Sequence, residues 1–408
     1  MFLDILRWRT FWQRLPPEES GLETYFTDAK EAQQLFADLV RAKSGPRLLV
    51  LLGDTLIGKS TILRMNQLFC RKERRAVALA HVDRQPSFTS VLTQWQRGLS
   101  ESGVTLRGFD SVLQRYNRLR DDVNTKFSPE IAKLVGAGTS LLAHWVPGVA
   151  PLKDVSQAGT ELFLAWWRKV SNQDRALLDD PTEQFSNTFT EDLRSLKPRG
   201  RVALLLDQYE LLQPFEAEIG SLVQRLPSNV LVNIASTHEP EWHRCWPDWR
   251  GYAEILPIRP MASDDIRDLV RKYWLFISHG REQARNEDID EIARFACGLP
   301  FAATTAVNLL RGGVQLNKLR PRVTRDIVKH LMDDVQEAGW RETFLAAAVL
   351  RFFNEEALQA MHSGPNPLGP EALNQILHRC PFIEEREDGW AVNETIRQLI
   401  DEDRKSVV

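Results

Sequence analysis

Eight residues, Gly53-Asp54-Thr55-Leu56-Ile57-Gly58-Lys59-Ser60, constrain this chain more than any other part of it. They follow the apolar run Leu48-Leu49-Val50-Leu51-Leu52 and precede Thr61 to Cys70, which has helical spacing. An apolar run without alternation, entered through Ser44-Gly45-Pro46, reads as a strand buried on both faces of a parallel sheet. A loop between such a strand and a helix, with glycine at its first and sixth positions, is free of bulky clashes. It can wrap backbone N–H groups around an anion, and the helix N-terminus adds a favourable dipole.

The Lys-Ser that closes the loop makes that anion a nucleotide phosphate chain. Gly53, Asp54, Thr55, Leu56, Ile57 and Gly58 form the cradle, Lys59 reaches the β and γ phosphates, Ser60 ligates Mg²⁺, and Thr61 lies near the α phosphate. ATP or ADP with Mg²⁺ is therefore the expected ligand. A magnesium-bound phosphate calls for a carboxylate at the carboxyl end of a neighbouring strand. Val202-Ala203-Leu204-Leu205-Leu206 ends in Asp207, and Glu210 follows three residues later. Asp207 is expected to hold Mg²⁺ with Ser60, and Glu210 to polarise a water for γ-phosphate hydrolysis, so Lys59, Asp207 and Glu210 form the expected catalytic set.

Asp207 lies 148 positions after Lys59, too far for strands close together in a sheet without an insertion between them. Residues 88 to 199 supply it, being mostly helical in pattern. Two further apolar runs, Ala76 to Val82 and Asn229 to Ala235, complete four expected strands of a doubly wound α/β sheet. Within the insertion, Leu134 to Leu152 holds 19 residues without Asp, Glu, Lys or Arg, but three glycines and two prolines interrupt it. A packed hairpin or buried loop is expected there rather than a membrane contact. The chain carries 52 Lys plus Arg against 55 Asp plus Glu, so bulk charge gives no attraction to nucleic acid or acidic lipid. Four scattered cysteines without CxxC spacing and an N-terminus broken by Asp4, Arg7, Arg9 and Arg14 fit a cytoplasmic protein. Trp242, Trp246 and Trp249 recur at helical spacing and are expected in the core.

From Ser263 the pattern is helical, with a helix stop at Gly298-Leu299-Pro300. Near the end, Phe382 to Val392 contains Asp388-Gly389, which suits a hairpin turn. The expected organisation is an N-terminal helix over 1–24 and a P-loop NTPase domain over 25–260 with its helical insertion at about 100–195. A helical lid domain over 261–335 and a winged-helix domain over 336–408 follow.

In this order, Gly53 to Ser60, Leu204 to Glu210 and Gly298-Leu299-Pro300 before a wing, the chain resembles the signal-transduction ATPases with numerous domains (STAND NTPases), relatives of AAA+ proteins that include NACHT and NB-ARC proteins. The resemblance covers roughly residues 25 to 400. It implies that Pro300 packs near the adenine, that the winged helix closes over ADP, and that exchange for ATP releases it for self-association, with an unidentified sensor or effector as partner. Asn393 stands where the family often has a histidine, and Thr237 or His238 where it often has an arginine. An initiator-like or loader-like AAA+ ATPase, which uses a winged helix on DNA, is the alternative. The expected recognition helix Glu371 to Arg379 has one arginine, so nucleic acid is not favoured. A third reading is a scaffold that binds nucleotide without hydrolysing it.

Overall fold

The computed structural model describes residues 20–82, 86–126, 166–196 and 200–331, and beyond them residues 343, 350, 352–361, 383–386, 389–392 and 397. The uncharged segment 134–152, residues 1–19, the expected recognition helix and Asn393 lie outside the described residues.

Five parallel strands form the central sheet: β1 (Leu48–Leu52), β2 (Val77–His81), β3 (Val202–Asp207), β4 (Val230–Ser236) and β5 (Ala253–Pro257). Their order is β2-β3-β4-β1-β5. β4 thus separates β1 from β3, pairing Leu49 with Asn233 on one side and Leu205 with Asn233 on the other. The four expected strands appear within a residue or so of their expected ends. β5 was not anticipated: its Ala-Glu-Ile-Leu-Pro is short, lies at an edge, and leaves Glu254 and Pro257 exposed, so it lacks the apolar run that marks a buried strand.

Alternate residues of each inner strand enter two separate cores. Leu49, Leu51, Leu205, Leu231 and Ala235 pack against helices α2 (Lys30–Arg41) and α3 (Lys59–Lys72) through Phe36, Val40, Ile62 and Leu63. Leu48, Val50, Leu204, Leu206, Val232 and Ile234 face the opposite way. There they meet α4 (Phe88–Glu101), α5 (Arg107–Lys126), α6 (Asn172–Asp179), α7 (Pro181–Ser195) and α8 (Glu216–Arg225). Trp242, Trp246 and Trp249 join this second core as expected, although Trp242 and Trp249 each start a short 3-10 turn and Trp246 lies between the two. The Trp242 indole donates to the Tyr209 hydroxyl at 2.7 Å, which donates to Glu216 at 3.0 Å, so the buried polar atoms are satisfied.

The long crossover from β2 to β3 carries the helical insertion. α5 and α7 close against each other through Phe109, Phe185 and Phe189, and Asp192 accepts from the Phe109 N–H at 2.9 Å. α4 lies along β2. A Cβ built on Gly98 would come within 2.8 Å of the Ala78 Cβ, so only glycine lets helix and strand approach this closely.

After β5 the chain enters a bundle of α9 (Ser263–Ile277), α10 (Asn286–Phe295), α11 (Pro300–Arg311) and α12 (Leu319–Leu331). Its core of Ile266, Val270, Ile292, Ala303, Val323 and Ile327 continues into Phe353, Leu358, Trp390 and Val392. These last residues belong to α13 (Glu355–Met361), to the hairpin β6 (Ile383–Arg386) and β7 (Gly389–Val392), and to Phe353, which exchanges backbone hydrogen bonds of 2.7 and 2.8 Å with Trp390. Gly389 is paired with Arg386 in the ladder rather than serving in the turn. It must be glycine because a Cβ there would stand 2.6 Å from the Phe353 carbonyl oxygen.

A short helix α1 (Ser20–Tyr25), which runs across the expected boundary at residue 24, ties the bundle to the sheet. Tyr25 packs on Tyr273 and Phe276 with ring centroids 5.0 Å apart in both pairs, while the next residue, Phe26, joins the core beneath α2 and α3. Glu23 pairs with Lys72 of α3 at 2.6 Å, and Thr27 donates to Asp268 of α9 at 3.2 Å.

Replacing Gly98 with valine should force α4 away from β2 and destabilise the protein by about 1–3 kcal/mol. Chemical denaturation of wild type and Gly98→Val measures this, and equal midpoints would contradict the close approach.

Candidate nucleotide-phosphate site

β1 delivers the chain to the carboxyl end of the sheet, where Gly53 donates to the Ser236 carbonyl at 3.2 Å. A Cβ on Gly53 would stand 2.6 Å from the carbonyl oxygen of Ile258, just beyond β5, so the loop and the exit of β5 are in backbone contact. Gly58 has φ 103°, the left-handed region that side chains avoid, and a Cβ there would lie 3.6 Å from Cγ of Pro300. Leu56 adopts φ 68° without being glycine, and its side chain packs on the bundle core. Ile57 is buried, whereas Asp54 and Thr55 are half-buried on the loop.

α3 starts at Lys59 behind Gly58, and no side chain caps its N-terminus. Its first amide groups therefore have no intrahelical acceptor and are left for an anion. Lys59 is buried and folds back over the loop, donating to the carbonyls of Gly53 at 2.6 Å and Asp54 at 2.8 Å. Burial holds its ammonium below the usual lysine range, while Glu210, Asp207 and Asp54 pull the other way.

Ser60 and Asp207, 147 residues apart in sequence, meet across the end of β4, where the Ser60 hydroxyl donates to Asp207 Oδ1 at 2.9 Å. The N–H of Gln208 also donates to Oδ1, at 3.1 Å. Oδ2 faces His81 Nδ1 at 3.1 Å. Gln208 has φ 57°, and this left-handed turn leads into the 3-10 helix Tyr209–Phe215, whose first turn carries Glu210. Part of Glu210 stays accessible, but Oε2 is buried with no hydrogen-bond partner. Burial pushes its carboxyl above the usual range, with Lys59 opposing.

The chemistry of these donors fits a phosphate chain with a hard divalent cation. The hydroxyl and carboxylate oxygens of Ser60 and Asp207 lie side by side, and two glycines keep Cβ atoms out of the loop. Among the described residues no group of three His, Cys, Asp or Glu side chains forms a metal cluster, so such a cation would complete its shell with phosphate oxygens and water. Lys59, Ser60, Asp207, Glu210 and the loop are brought together, with Thr61 half-buried as the third residue of α3. Pro300 lies against Gly58 at N1 of α11, after a Gly298 with φ 77° whose Cβ would stand 2.7 Å from the Met261 carbonyl oxygen. Thr237 is half-buried and His238 exposed beyond β4. Sequence reasoning passed over His81 and Ile258, whose places follow from strand register: His81 is paired with Asp207, and Ile258 follows the strand beside β1.

A glycine loop between β1 and a helix, a lysine folded over it, and an acidic residue ending the strand two positions away in the sheet decide the architecture. The chain has a P-loop NTPase fold. No protein-family model matches it, and no curated protein matches it. Solved structures that overlap it include the Walker-type ATPase of Pyrococcus abyssi, at 13% identity and TM-score 0.49 over 92% of this chain and 95% of that one. The STAND protein with a tetratricopeptide repeat sensor from Pyrococcus horikoshii overlaps at 11% identity and TM-score 0.35, over 93% of this chain and 42% of that one. The ORC2 protein of Aeropyrum pernix overlaps at 10% identity and TM-score 0.37, over 97% and 96%. Overlaps of this size add nothing to what the sheet and the P-loop already show. Among the described residues, no helix is long and apolar enough to cross a membrane.

The raised carboxyl of Glu210 has a measurable consequence. The folded protein binds that proton more tightly than the unfolded chain, so stability falls as pH rises from the ordinary value of 4.5 through the raised one. Thermal midpoints between about pH 5 and about pH 8 should show wild type losing ground to Glu210→Gln as pH rises. A difference that stays constant across the range would rule out the buried carboxylate as its source.

Proposed function

We propose that this protein is an ATP-binding switch of the STAND kind, in which ADP/ATP exchange and slow hydrolysis are coupled to opening of the bundle and to self-association. The observation that carries the reading is the seat of the bundle on the P-loop: Leu56 of the loop packs on the bundle core, and Pro300, first residue of a bundle helix, stands 3.6 Å from where a Cβ on Gly58 would be. A bundle seated on the loop will respond to what the loop holds, because any difference in its contacts with ADP and ATP shifts the balance between seated and released forms. Tyr25 and Phe26 support the same reading, since adjacent residues are committed to the bundle and to the sheet core and moving one against the other must break one set of contacts.

In this proposal the backbone of Gly53 to Gly58 and the N-terminus of α3 hold the phosphates. Lys59 leaves its loop carbonyls for the β and γ oxygens, and Ser60 and Asp207 hold Mg²⁺. The cation would neutralise charge that develops on the phosphate oxygens. Glu210 accepts a hydrogen bond from the attacking water, whose oxygen would bond to the γ phosphorus as the bond to the ADP oxygen breaks, its proton leaving with the released phosphate. Pro300 flanks the nucleotide from the bundle side, and 261–331 and the region of the β6–β7 hairpin act as lid and winged-helix domains.

Lys59→Ala should weaken ATP binding by well over tenfold, as expected for loss of a buried phosphate cation, and calorimetric titration measures it. Glu210→Gln should retain binding and lose turnover; equal, negligible turnover in both proteins would leave a scaffold in place of an ATPase. Light scattering of the protein with ADP and with a non-hydrolysable ATP analogue should give a larger mass for the second. An unchanged monomer in both would remove the self-associating switch.

One observation favours the DNA-binding alternative: α12 carries Arg320, Arg322, Arg325 and Lys329 against a single acidic residue, Asp326. Double-stranded DNA binding that weakens with salt and is lost on replacing Arg379 would carry that alternative over the switch.

A further inference from the structure

We infer that His81 is a positioning residue for the Asp207 carboxylate, and through it for the divalent cation of the nucleotide complex. The inference rests on the nucleotide reading above and concerns a residue outside the motifs that define that site.

Asp207 is nearly enclosed, with 6% of its side chain exposed, and its two oxygens have different partners. Oδ1 accepts from the Ser60 hydroxyl and from the Gln208 N–H. Oδ2 has His81 as its hydrogen-bond partner, through Nδ1 at 3.1 Å. A carboxylate only accepts, so Nδ1 carries the proton of this bond. A carboxylate held at both oxygens has one orientation. Held at Oδ1 alone, it can turn about its Cβ–Cγ bond, and neither oxygen keeps a fixed place beside Ser60.

The backbone beneath His81 is fixed more firmly than an edge strand requires. β2 is the outermost strand on its side, and His81 is paired in register with Asp207. On the side away from the sheet, the Gln94 side chain of α4 closes a two-point amide pair with His81. Its Oε1 accepts from the His81 N–H at 2.9 Å and its Nε2 donates to the His81 carbonyl at 3.0 Å. Val82 then donates to the Asp207 carbonyl at 3.2 Å. The last residue of the edge strand is thus clamped on both sides, while its imidazole, 54% exposed, contributes little to either core. A ring that packs so little and sits on so rigid a base is placed for its contact with Asp207. Outer partners that orient a metal-ligating group typically account for about tenfold to a hundredfold in metal affinity.

The test is a titration of ATP binding with Mg²⁺, with a parallel measurement in excess EDTA, for wild type, His81→Ala and His81→Asn. The amide nitrogen of asparagine stands where Nδ1 does and can donate the same bond. We expect His81→Ala to keep the EDTA affinity of wild type but to need about tenfold or more Mg²⁺ for half-saturation, and His81→Asn to recover most of that loss. Combined with Asp207→Ala, His81→Ala should cause no further change, since it acts through that carboxylate. Gln94→Leu, which leaves the ring intact and releases its base, should shift the Mg²⁺ midpoint in the same direction. A Mg²⁺ midpoint in His81→Ala equal to wild type, or an equal loss with Mg²⁺ and with EDTA, overturns the inference. Wild type that binds no ATP in either buffer overturns the nucleotide reading itself, and this one with it.

Discussion

Five residues, Ile258 to Ala262, connect the sheet to the bundle, and both parts close on them through glycine. At one end the Ile258 carbonyl occupies the space a side chain at position 53 would need, and at the other Pro260 and Met261 occupy that of position 298. Met261 also accepts no freedom from its own backbone, because its N–H donates to the Gly298 carbonyl at 2.9 Å. The phosphate loop, the edge strand β5 and the turn before α11 are therefore in a single line of backbone contacts. Side chains can swing to absorb a displacement, but stacked backbones cannot. Gly53 stands at one end of this line and the turn before Pro300 at the other, and in the proposed switch a shift at the loop would travel along it.

The charged groups of the site are arranged around a cost. Lys59 and Glu210 are both disfavoured in their charged forms by burial, and each is partly relieved by the other. Lys59 also borrows the carbonyls of Gly53 and Asp54, whereas Glu210 Oε2 has no donor. Such a cluster is not arranged for stability, since an unpaired buried oxygen costs about 1–3 kcal/mol. The fold tolerates it because four buried strands surround it, and the polar atoms stand ready for partners that arrive from solution.

Four strands were legible because β1 to β4 are mostly buried and are written as runs dominated by Leu, Val, Ile and Ala. The loop was legible for a different reason: its glycines answer to backbone geometry that no other residue satisfies. β5 escaped notice because an edge strand carries residues such as Glu254 on its exposed positions, and Gly389 was assigned to the wrong role because a dipeptide shows a local turn and not a carbonyl brought from Phe353. His81 and the Tyr25–Phe26 strap could not be read at all. Their significance lies in which distant element they meet, and only the strand order and the packing of α9 decide that. The expected winged helix is legible to the extent of a hairpin whose core is shared with the bundle.

The clamp on β2 also determines how copies of this molecule can join. On the outer side of that strand the Gln94 amide occupies the N–H and carbonyl of His81, and the Ser102 hydroxyl does the same for Val77, accepting at 3.3 Å and donating at 2.9 Å. The close seat of Gly98 covers the stretch between. This edge is stoppered against strand addition by other chains. The other edge of the sheet is β5, where Pro257 has no N–H to offer to an added strand, so neither edge presents an uninterrupted ladder to another copy.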